Sequence, residues 1–164
     1  MNIKKLILTF LLYLPLINSH ATPDRVQLLV WANEAIIKTY SYTYANYLSA
    51  QKETAPYFTS EGWIAYTKAL NASKVPQEVQ KNLYAVSAVA TAPPVLSTVD
   101  ATHWTVTMPV LVQYQNPQYQ QQQNLKIVLG ITLASSGQGV RGFAITSFQS
   151  HVITPPCRCM PASN

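Results

Sequence analysis

The sequence predicts an α+β domain, with N-terminal helices packed on a curved antiparallel sheet. Between residues 24 and 82, apolar residues recur every three or four positions, which is the period of an α-helix. From Tyr84 onward the period changes to two, which is the period of a strand with one buried face. Helices that precede a run of strands, rather than alternating with them, favour an α+β arrangement over a parallel α/β one.

The first 21 residues have the pattern of a secretory signal peptide. Two lysines precede an apolar run over residues 6–17, and Ser19 and Ala21 are the small residues of a cleavage site before Thr22. A membrane span needs about 20 apolar residues, and this run is much shorter. We therefore expect export with cleavage, and association with the membrane only if the leader stays uncleaved.

After cleavage, residues 22–153 are expected to form a single domain of ordinary size. A proline- and cysteine-containing tail over residues 154–164 follows it and is expected to be flexible. The 11 basic side chains of the whole chain are scattered, two of them in the leader, and form no stripe that could follow a phosphate backbone. Nucleic-acid binding is therefore not expected.

A long first helix is predicted to begin at Thr22. Thr22 can cap it, Pro23 suits its first turn, and Asp24 complements the helix dipole. An apolar and aromatic stripe then predicts one amphipathic helix of about six turns. The stripe contains Val26, Leu29, Val30, Asn33, Ile37, Tyr40, Tyr44 and Tyr47.

A second helix is predicted to begin at Thr59 or Ser60, after a break over residues 51–58. Pro56 disfavours helical backbone at the residue before it, which places the break there. Gly62 costs a helix about 1 kcal/mol relative to alanine, so we expect it where another backbone passes closely. The predicted inner face of this helix contains Trp63, Ile64, Tyr66, Thr67 and Leu70.

A third, short helix over residues 76–82 precedes five predicted strands. Residues 113–123 form a glutamine-rich hairpin tip that turns at Asn116-Pro117. Pro109 interrupts a strand, so it is expected at a bulge or an edge, and Gly130 is expected at a bend in the facing strand. The predicted strands cover residues 84–92, 95–99, 103–115, 125–134 and 142–152.

A sheet that curls around the amphipathic first helix gives a cone, as in nuclear-transport-factor-like (cystatin-like) domains. Such a cone can be a solid core, a ligand pocket or a docking platform, and the fold alone does not choose among them. The four aromatic residues of the segment YFTSEGWIAY, residues 57–66, are interpreted as wedges between two helices.

Few residues suit catalysis or metal binding. Glu34, beside the helical stripe, is the one carboxylate that could face inward, and Asp100 lies close to His103 in sequence. The histidines have no metal-binding spacing, and no nucleotide-binding or nucleophile motif is present. We expect no enzyme, no cofactor and no metal. The alternative is a small-molecule-binding protein or enzyme that uses Glu34 or tyrosine hydroxyls inside the cone.

The tail, which includes PPCRCMPASN, holds the only two cysteines, Cys157 and Cys159. One residue between them closes a very small ring, so a disulfide within the pair would be strained. There are three other interpretations. The cysteines could form disulfides with a second chain, they could bind a soft metal through two thiolates, or the tail could be oxidised without a further role. The sequence leaves these alternatives open.

The stretch WANEAIIKTYSYTYANYLSAQKETAPYFTSEGWIAYTKALNAS resembles the periplasmic domain of the DotI/IcmL family of type IVB (Dot/Icm) secretion systems. The likeness extends over residues 26–152 and includes the downstream stretch GFAITSF. No catalytic residue is carried over by this resemblance. It implies structural and contact roles for Trp31, Asn33, Tyr57, Phe58, Gly62, Trp63, Trp104, Pro109, Tyr114, Gly142 and Phe148.

The resemblance implies an IcmL-like protein-interaction domain in the periplasm, with a nuclear-transport-factor-type fold and no enzymatic activity. Its expected partners are protein subunits of the secretion machine or copies of itself. The family's transporter subunit has a complete transmembrane helix, where this chain has a short leader. This difference favours a soluble accessory or paralogous form.

Export is tested by fractionating cells that express the chain and sequencing the N-terminus of the recovered protein. We expect a periplasmic protein that begins at Thr22, because the leader carries a cleavage site before that residue. Ala21→Leu is the control, since a large residue at the cleavage site blocks processing. A wild-type protein found in the membrane fraction with its leader intact would show that the leader is an anchor.

Overall fold

The computed structural model describes residues 24–135 and 137–153. The predicted signal peptide and the cysteine tail lie outside these residues. The helices are α1 (Arg25–Thr39), α2 (Tyr47–Thr54), α3 (Ser60–Ala72) and α4 (Val75–Lys81). The strands are β1 (Tyr42–Thr43), β2 (Ala85–Ala90), β3 (Val95–Thr98), β4 (His103–Gln115), β5 (Gln120–Leu133) and β6 (Phe143–Val152).

α1 begins after Asp24, whose carboxylate accepts a hydrogen bond from the amide of Val26 at 3.0 Å. Asp24 rather than Thr22 therefore caps this helix, as a short acidic side chain commonly does. The helix ends at Thr39, whose hydroxyl donates to the carbonyl of Ala35 at 2.7 Å.

The predicted continuation of this helix to Tyr47 is wrong. Tyr42 and Thr43 pair with β2 instead, and the side chain of Asn46 accepts a hydrogen bond from the amide of Thr43 at 2.6 Å. This turn interrupts the helix, and α2 begins at Tyr47. The sequence predicted too long a helix because its tyrosines keep a helical spacing across the turn.

The buried face of α1 also differs from the predicted stripe. Val26 and Val30, which belong to that stripe, are 63% and 56% exposed. Two alanines lie in the buried face, and a stripe defined by large side chains overlooks them. The buried residues are Leu28, Trp31, Ala32, Ala35, Ile36 and Thr39.

The predicted break over residues 51–58 is wrong in part. α2 continues through Thr54 and then tightens into a 3-10 turn over Ala55–Tyr57. Pro56 lies at the start of that turn. The first N–H groups of a helical turn have no partner within it, so the missing N–H of proline costs no hydrogen bond there. The chain therefore changes direction through a tight helical turn and not through a loop.

α3 begins where the sequence predicts. The hydroxyl of Thr59 accepts a hydrogen bond from the amide of Gly62 at 3.0 Å. Gly62 has the predicted close backbone contact, because a Cβ atom there would lie 2.4 Å from the carbonyl oxygen of Ile145. Tyr66 is buried, whereas Ile64 is 66% exposed, so the predicted inward position of Ile64 is wrong. α4 matches the third predicted helix to within one residue.

The strands of the described residues form one antiparallel sheet in the order β1-β2-β4-β5-β6, with β3 paired to β4. β2 pairs with residues 110–115 of β4 and β3 with residues 104–107, so the two short strands share one edge of β4. The five predicted strands are confirmed as β2 to β6. The glutamine-rich tip is shorter than predicted, because residues 120–123 belong to β5 and pair with β4.

Pro109 lies within the central strand β4, so the prediction of a bulge or outer edge is wrong. Its carbonyl accepts a hydrogen bond from the amide of Thr91, just after β2. In an antiparallel strand, the N–H and C=O of one residue point to the same side. The missing N–H of Pro109 therefore faces the interruption between β2 and β3, where no ladder bond is lost.

Gly130 marks a bulge between β5 and β6, which confirms the predicted bend. Gly130 pairs with Ser147 and Ile131 pairs with Ile145, so Thr146 is the extra residue. A Cβ atom on Gly130 would lie 2.6 Å from Oγ of Ser147. Bulges bend a strand and increase its twist, which helps this sheet to curl.

The core lies between α1 and the inner face of the sheet. Alternate side chains of β4 and β5 point into it, as the period of two predicts. Burying one such side chain contributes about 1.5–3 kcal/mol. Those with at most 1% exposure are Val106, Met108, Val110, Val112, Ile127, Leu129 and Ile131.

Gly62→Ala is expected to destabilise the protein by about 1–3 kcal/mol. The added methyl group would meet the carbonyl oxygen of Ile145. In an isolated helix the same change is stabilising by about 1 kcal/mol, so a loss reports on the tertiary contact. Urea unfolding followed by circular dichroism measures the free energy of unfolding.

Asn71→Ala is the matched control, since Asn71 is exposed on the same helix. It should raise stability by about 0.5 kcal/mol through helix propensity alone. If Gly62→Ala raised stability as Asn71→Ala does, α3 would not rest on β6 at this point.

Candidate protein-interaction site

Aromatic residues from segment 57–66 join α3 to the last strand. Phe58, Trp63 and Tyr66 pack with Phe148 of β6, and we call these four residues the aromatic wedge. Ring centroids lie 5.0 Å apart for Phe58–Tyr66 and 5.3 Å apart for Tyr66–Phe148. Each such pair contributes about 0.5–1.5 kcal/mol beyond its buried area. The wedge thus connects a helix to the sheet, so the predicted contact between two helices is wrong for Phe58, Trp63 and Tyr66. Tyr57 does contact a second helix, at Trp31 of α1.

Backbone contacts hold the same junction. The amide of Thr59 donates to the carbonyl of Ile145 at 2.9 Å, and Phe58 forms an isolated parallel bridge with Ile145. These contacts cover the outer edge of β6 at Ile145. From Thr146 to Val152, this edge has no backbone partner among residues 24–135 and 137–153.

A second aromatic cluster joins α1 to the sheet. Trp31 is 1% exposed, and its ring lies 5.9 Å from that of Tyr57 and 5.6 Å from that of Phe143. Phe143 in turn lies 6.2 Å from Trp104 of β4. Aromatic side chains therefore connect α1 to β6 and, through Phe143, to β4.

Most of the family-motif residues belong to the core. Gly142 is the exception, since it is exposed and its φ of +84° is a conformation that favours glycine. The buried ones are Trp31, Tyr57, Phe58, Gly62 and Trp104. The half-buried ones are Asn33, Trp63, Pro109, Tyr114 and Phe148.

Glu34 does not face the interior, so that prediction is wrong. Its side chain is 45% exposed and pairs with the guanidinium of Arg141. Its other carboxylate oxygen accepts a hydrogen bond from the hydroxyl of Tyr57 at 2.6 Å. The hydrogen bond from Tyr57, followed by the contact with Arg141, holds the pKa of Glu34 below its ordinary value. A carboxylate of this kind is a poor general base at neutral pH.

Sequence reasoning missed Arg141. It lies in the connection between β5 and β6 with a φ of +52°, between Gly139 and Gly142, which also have positive φ. The glycines signal a tight turn that orients an isolated arginine. Nothing in the sequence identifies its partner Glu34, which lies 107 residues earlier.

Asp100 and His103 lie in the exposed turn between β3 and β4. The carboxylate accepts a hydrogen bond from the amide of Thr102 at 2.7 Å and lies 3.0 Å from Nδ1 of His103. The Thr102 amide, and after it His103, lowers the pKa of Asp100 to about 2. Asp100 thus caps a turn, as aspartates commonly do.

A cavity of about 200 Å³ lies beside α3 and β6. Four tyrosines line it, including Tyr40 and Tyr66, and no carboxylate does. Burial raises the pKa of Tyr40 to about 12 and also raises that of Tyr66, so these hydroxyls stay protonated at neutral pH. Because it contains no carboxylate, this cavity lacks the acid that an acid–base site on this fold needs.

No cluster of side chains suited to a metal ion occurs in the part of the chain that the structure describes. Glu34 and Asp100, the two acids singled out by the sequence, lie at separate surface positions and do not meet in a cavity. The structure therefore pairs Asp100 with His103 and Glu34 with Tyr57, but it places the two acids at separate positions on the surface.

The outer face of α1 presents an apolar surface. The exposed residues Val26 and Val30, together with Phe143, border a cavity of about 340 Å³. Arg141, paired with Glu34, also borders it. We call Val26, Val30 and Arg141 the α1 surface. Apolar side chains beside a charged arginine are typical of a protein-interaction surface.

The fold defines the class of the molecule, which is an α+β domain whose helices pack on a curved antiparallel sheet. The profile of the DotI/IcmL family, described as an inner-membrane complex component of the type-IV b secretion system, matches residues 13–152. The chain belongs to this family. A comparison with curated proteins gives no match.

Solved structures agree with this assignment. An IcmL-like type IV secretion system protein from Legionella pneumophila is 65% identical, with a TM-score of 0.80, and the match covers 85% of this chain and 100% of that chain. The periplasmic domain of DotI is 31% identical, with a TM-score of 0.76, and the match covers 81% of this chain and 99% of that chain.

A periplasmic fragment of TraM is 20% identical, with a TM-score of 0.69, and the match covers 79% of this chain and 98% of that chain. This likeness shows the fold alone. Together the comparisons confirm the predicted family and fold class, in which helices pack on a curved antiparallel sheet of nuclear-transport-factor type. They support a secretion-system component domain and not the small-molecule-binding alternative.

Glu34→Gln is expected to lower stability at neutral pH and to have little effect in acid. A carboxylate with a lowered folded-state pKa stabilises the protein above its unfolded-state pKa. That contribution is lost as the pH falls through the folded-state value. Because Glu34 is 45% exposed, the loss should stay below about 1 kcal/mol. Thermal unfolding at neutral and acid pH measures it.

Tyr57→Phe supplies the comparison, because it removes the hydrogen bond to Glu34 and little else. In that background, the effect of Glu34→Gln at neutral pH should shrink. An effect of undiminished size would show that Tyr57 does not stabilise the charged form of Glu34.

Proposed function

We propose that the mature chain is a periplasmic protein-interaction domain of a type IVB secretion system. In this proposal it is an exported accessory or paralogous form of the DotI/IcmL component, without a membrane anchor of its own. It acts by binding proteins and catalyses no reaction. Family membership supports the general role, and the finer points rest on the leader and on the interior of the domain.

One observation carries the proposal: aromatic side chains fill the cone while its candidate acids lie outside. Glu34 is held in a surface ion pair, and Asp100 caps an exposed turn. An acid–base site on this fold needs a carboxylate in an apolar cavity opposite hydrogen-bond donors. The cavity beside α3 and β6 has tyrosine, serine, threonine and glutamine as its polar side chains, and the carboxylate of Glu78 lies in the adjoining cavity at an exposed position.

Two surfaces suit protein partners. The α1 surface combines exposed valines with a paired arginine. The outer edge of β6 beyond Ile145 presents backbone groups to which a strand of another protein can add. Both surfaces lie on elements held by the aromatic clusters, so a partner would meet a rigid site.

The periplasmic location rests on the predicted leader and on the likeness to the periplasmic domain of DotI. Across the described ranges, no helix has the length and apolar character needed to cross a bilayer. Export would bring this domain into the compartment that holds the matching domain of DotI.

Site-specific photo-crosslinking in cells that carry the secretion system tests the proposal. A photoreactive amino acid at Val30, which is 56% exposed on the α1 surface, should capture a subunit of the Dot/Icm machine. The same amino acid at Val89, which is 58% exposed on β2, is the matched control and should capture none. Mass spectrometry identifies the captured proteins.

A second label at Gln149 examines the edge of β6 in the same cells. If Val30 and Gln149 both failed to capture a subunit of the machine, the proposal would be wrong. Capture of only further copies of this chain would point to a self-assembling protein that works apart from the secretion system.

A further inference from the structure

A groove lined by tyrosines runs past the end of β6. Two cavities, of about 200 and 250 Å³, share Ser73, Val75, Tyr114 and Gln123, so they form one continuous depression between α3, α4 and the sheet. We call this depression the tyrosine groove. Its further aromatic lining consists of Tyr40, Tyr42, Tyr66, Tyr84 and Phe148.

The described chain ends at the rim of this groove. Ser150 and Val152 of β6 line it, and the amide of Ile153 donates to the carbonyl of Asn124 at 3.1 Å. β5 extends past β6 here, because the β5–β6 pairing ends with Leu125 opposite Val152. A chain that continued beyond Ile153 in the direction of β6 would run alongside Gln123 and then Gln121 of β5. Both residues also line the groove.

The prolines of the tail prevent it from extending the sheet. Ile153 bonds to β5, so the next residue to face β5 would be Pro155, which has no N–H to donate. Side chains alternate along a strand, so Pro156 would share the side of Ser150 and Val152, which line the groove. A further strand at this position would therefore lose its ladder bond beside the groove.

The groove supplies the contacts that a proline-rich segment needs. Consecutive prolines favour polyproline II backbone, which makes no hydrogen bonds within itself. Domains that bind such segments use aromatic-lined grooves. Here tyrosine rings provide the apolar contact, while their hydroxyls and the amide of Gln123 can donate to the carbonyls of the segment.

We propose that the C-terminal segment, residues 154–164, binds in the tyrosine groove of its own chain, with Pro155 and Pro156 against the tyrosine rings. The attachment point at the rim gives the segment a high effective concentration, so modest contacts suffice to hold it. The bound segment occupies the groove and places Cys157 and Cys159 beside it.

The rate at which the thiols of the reduced mature protein react with Ellman's reagent measures this binding. The chain has two cysteines, both in the segment, so the whole signal reports on it. We expect the thiols to react about tenfold more slowly than those of the free peptide TPPCRCMPASN. If only the released segment reacts, this ratio means that the segment is released about one-tenth of the time.

Ala69→Trp places a large side chain in the groove from an exposed position of α3. It should restore the rate of the free peptide. Asn71→Trp is the matched control, since Asn71 is exposed on the same helix and does not line the groove. This variant should keep the slow rate.

The double substitution Pro155→Gly and Pro156→Gly gives an independent test if Ala69→Trp folds poorly. It changes only residues beyond the last strand, so the domain remains folded, and it should speed the reaction as Ala69→Trp does. The slow wild-type rate should not depend on protein concentration.

Three results would overturn the proposal. The first is a wild-type rate equal to that of the peptide. The second is a rate that stays slow in both Ala69→Trp and the proline variant. The third is slowing that appears only at high protein concentration, which would assign the groove to the tail of a second copy.

Discussion

The contact between the start of α3 and β6 is the one on which the rest of this structure depends. At Gly62, the helix lies so close to β6 that a Cβ atom would be 2.4 Å from the carbonyl oxygen of Ile145. The amide of Thr59 bonds the same oxygen at 2.9 Å. The aromatic wedge packs around this contact and joins the helical half of the chain to the sheet. A serine, threonine or larger residue in place of Gly62 would separate the two halves.

This junction also affects how much space remains inside the domain. With the wedge and the Trp31 cluster in place, the cavity beside α3 and β6 measures about 200 Å³ and has no carboxylate in its lining, and Glu34 lies at the surface. Secretion-system components of this family assemble into a complex. A rigid, filled domain suits such a role, because its surfaces keep their shape when partners bind. The tyrosine groove includes this cavity, and in our proposal the C-terminal segment binds there.

The sequence predicted well those features that depend on neighbouring residues. The strand β4 follows from its period of two, and the start of α3 follows from the capping side chain of Thr59. Gly62 was correctly expected at a close contact, although the sequence could not name Ile145 as the neighbour. Features that depend on distant partners were missed, above all the pairing of Glu34 with Arg141. The end of α1 was missed because tertiary pairing of Tyr42 with β2 overrides a helical spacing.

Native-state hydrogen exchange tests most directly whether α3 and the sheet form one cooperative unit. The amide of Thr59 reports on the junction, since it donates to Ile145, and the amides of β4 report on the centre of the sheet. The account predicts that both exchange with the free energy of global unfolding. Exchange of Thr59 and α3 through a lower-energy opening, while the amides of β4 stay protected, would contradict it.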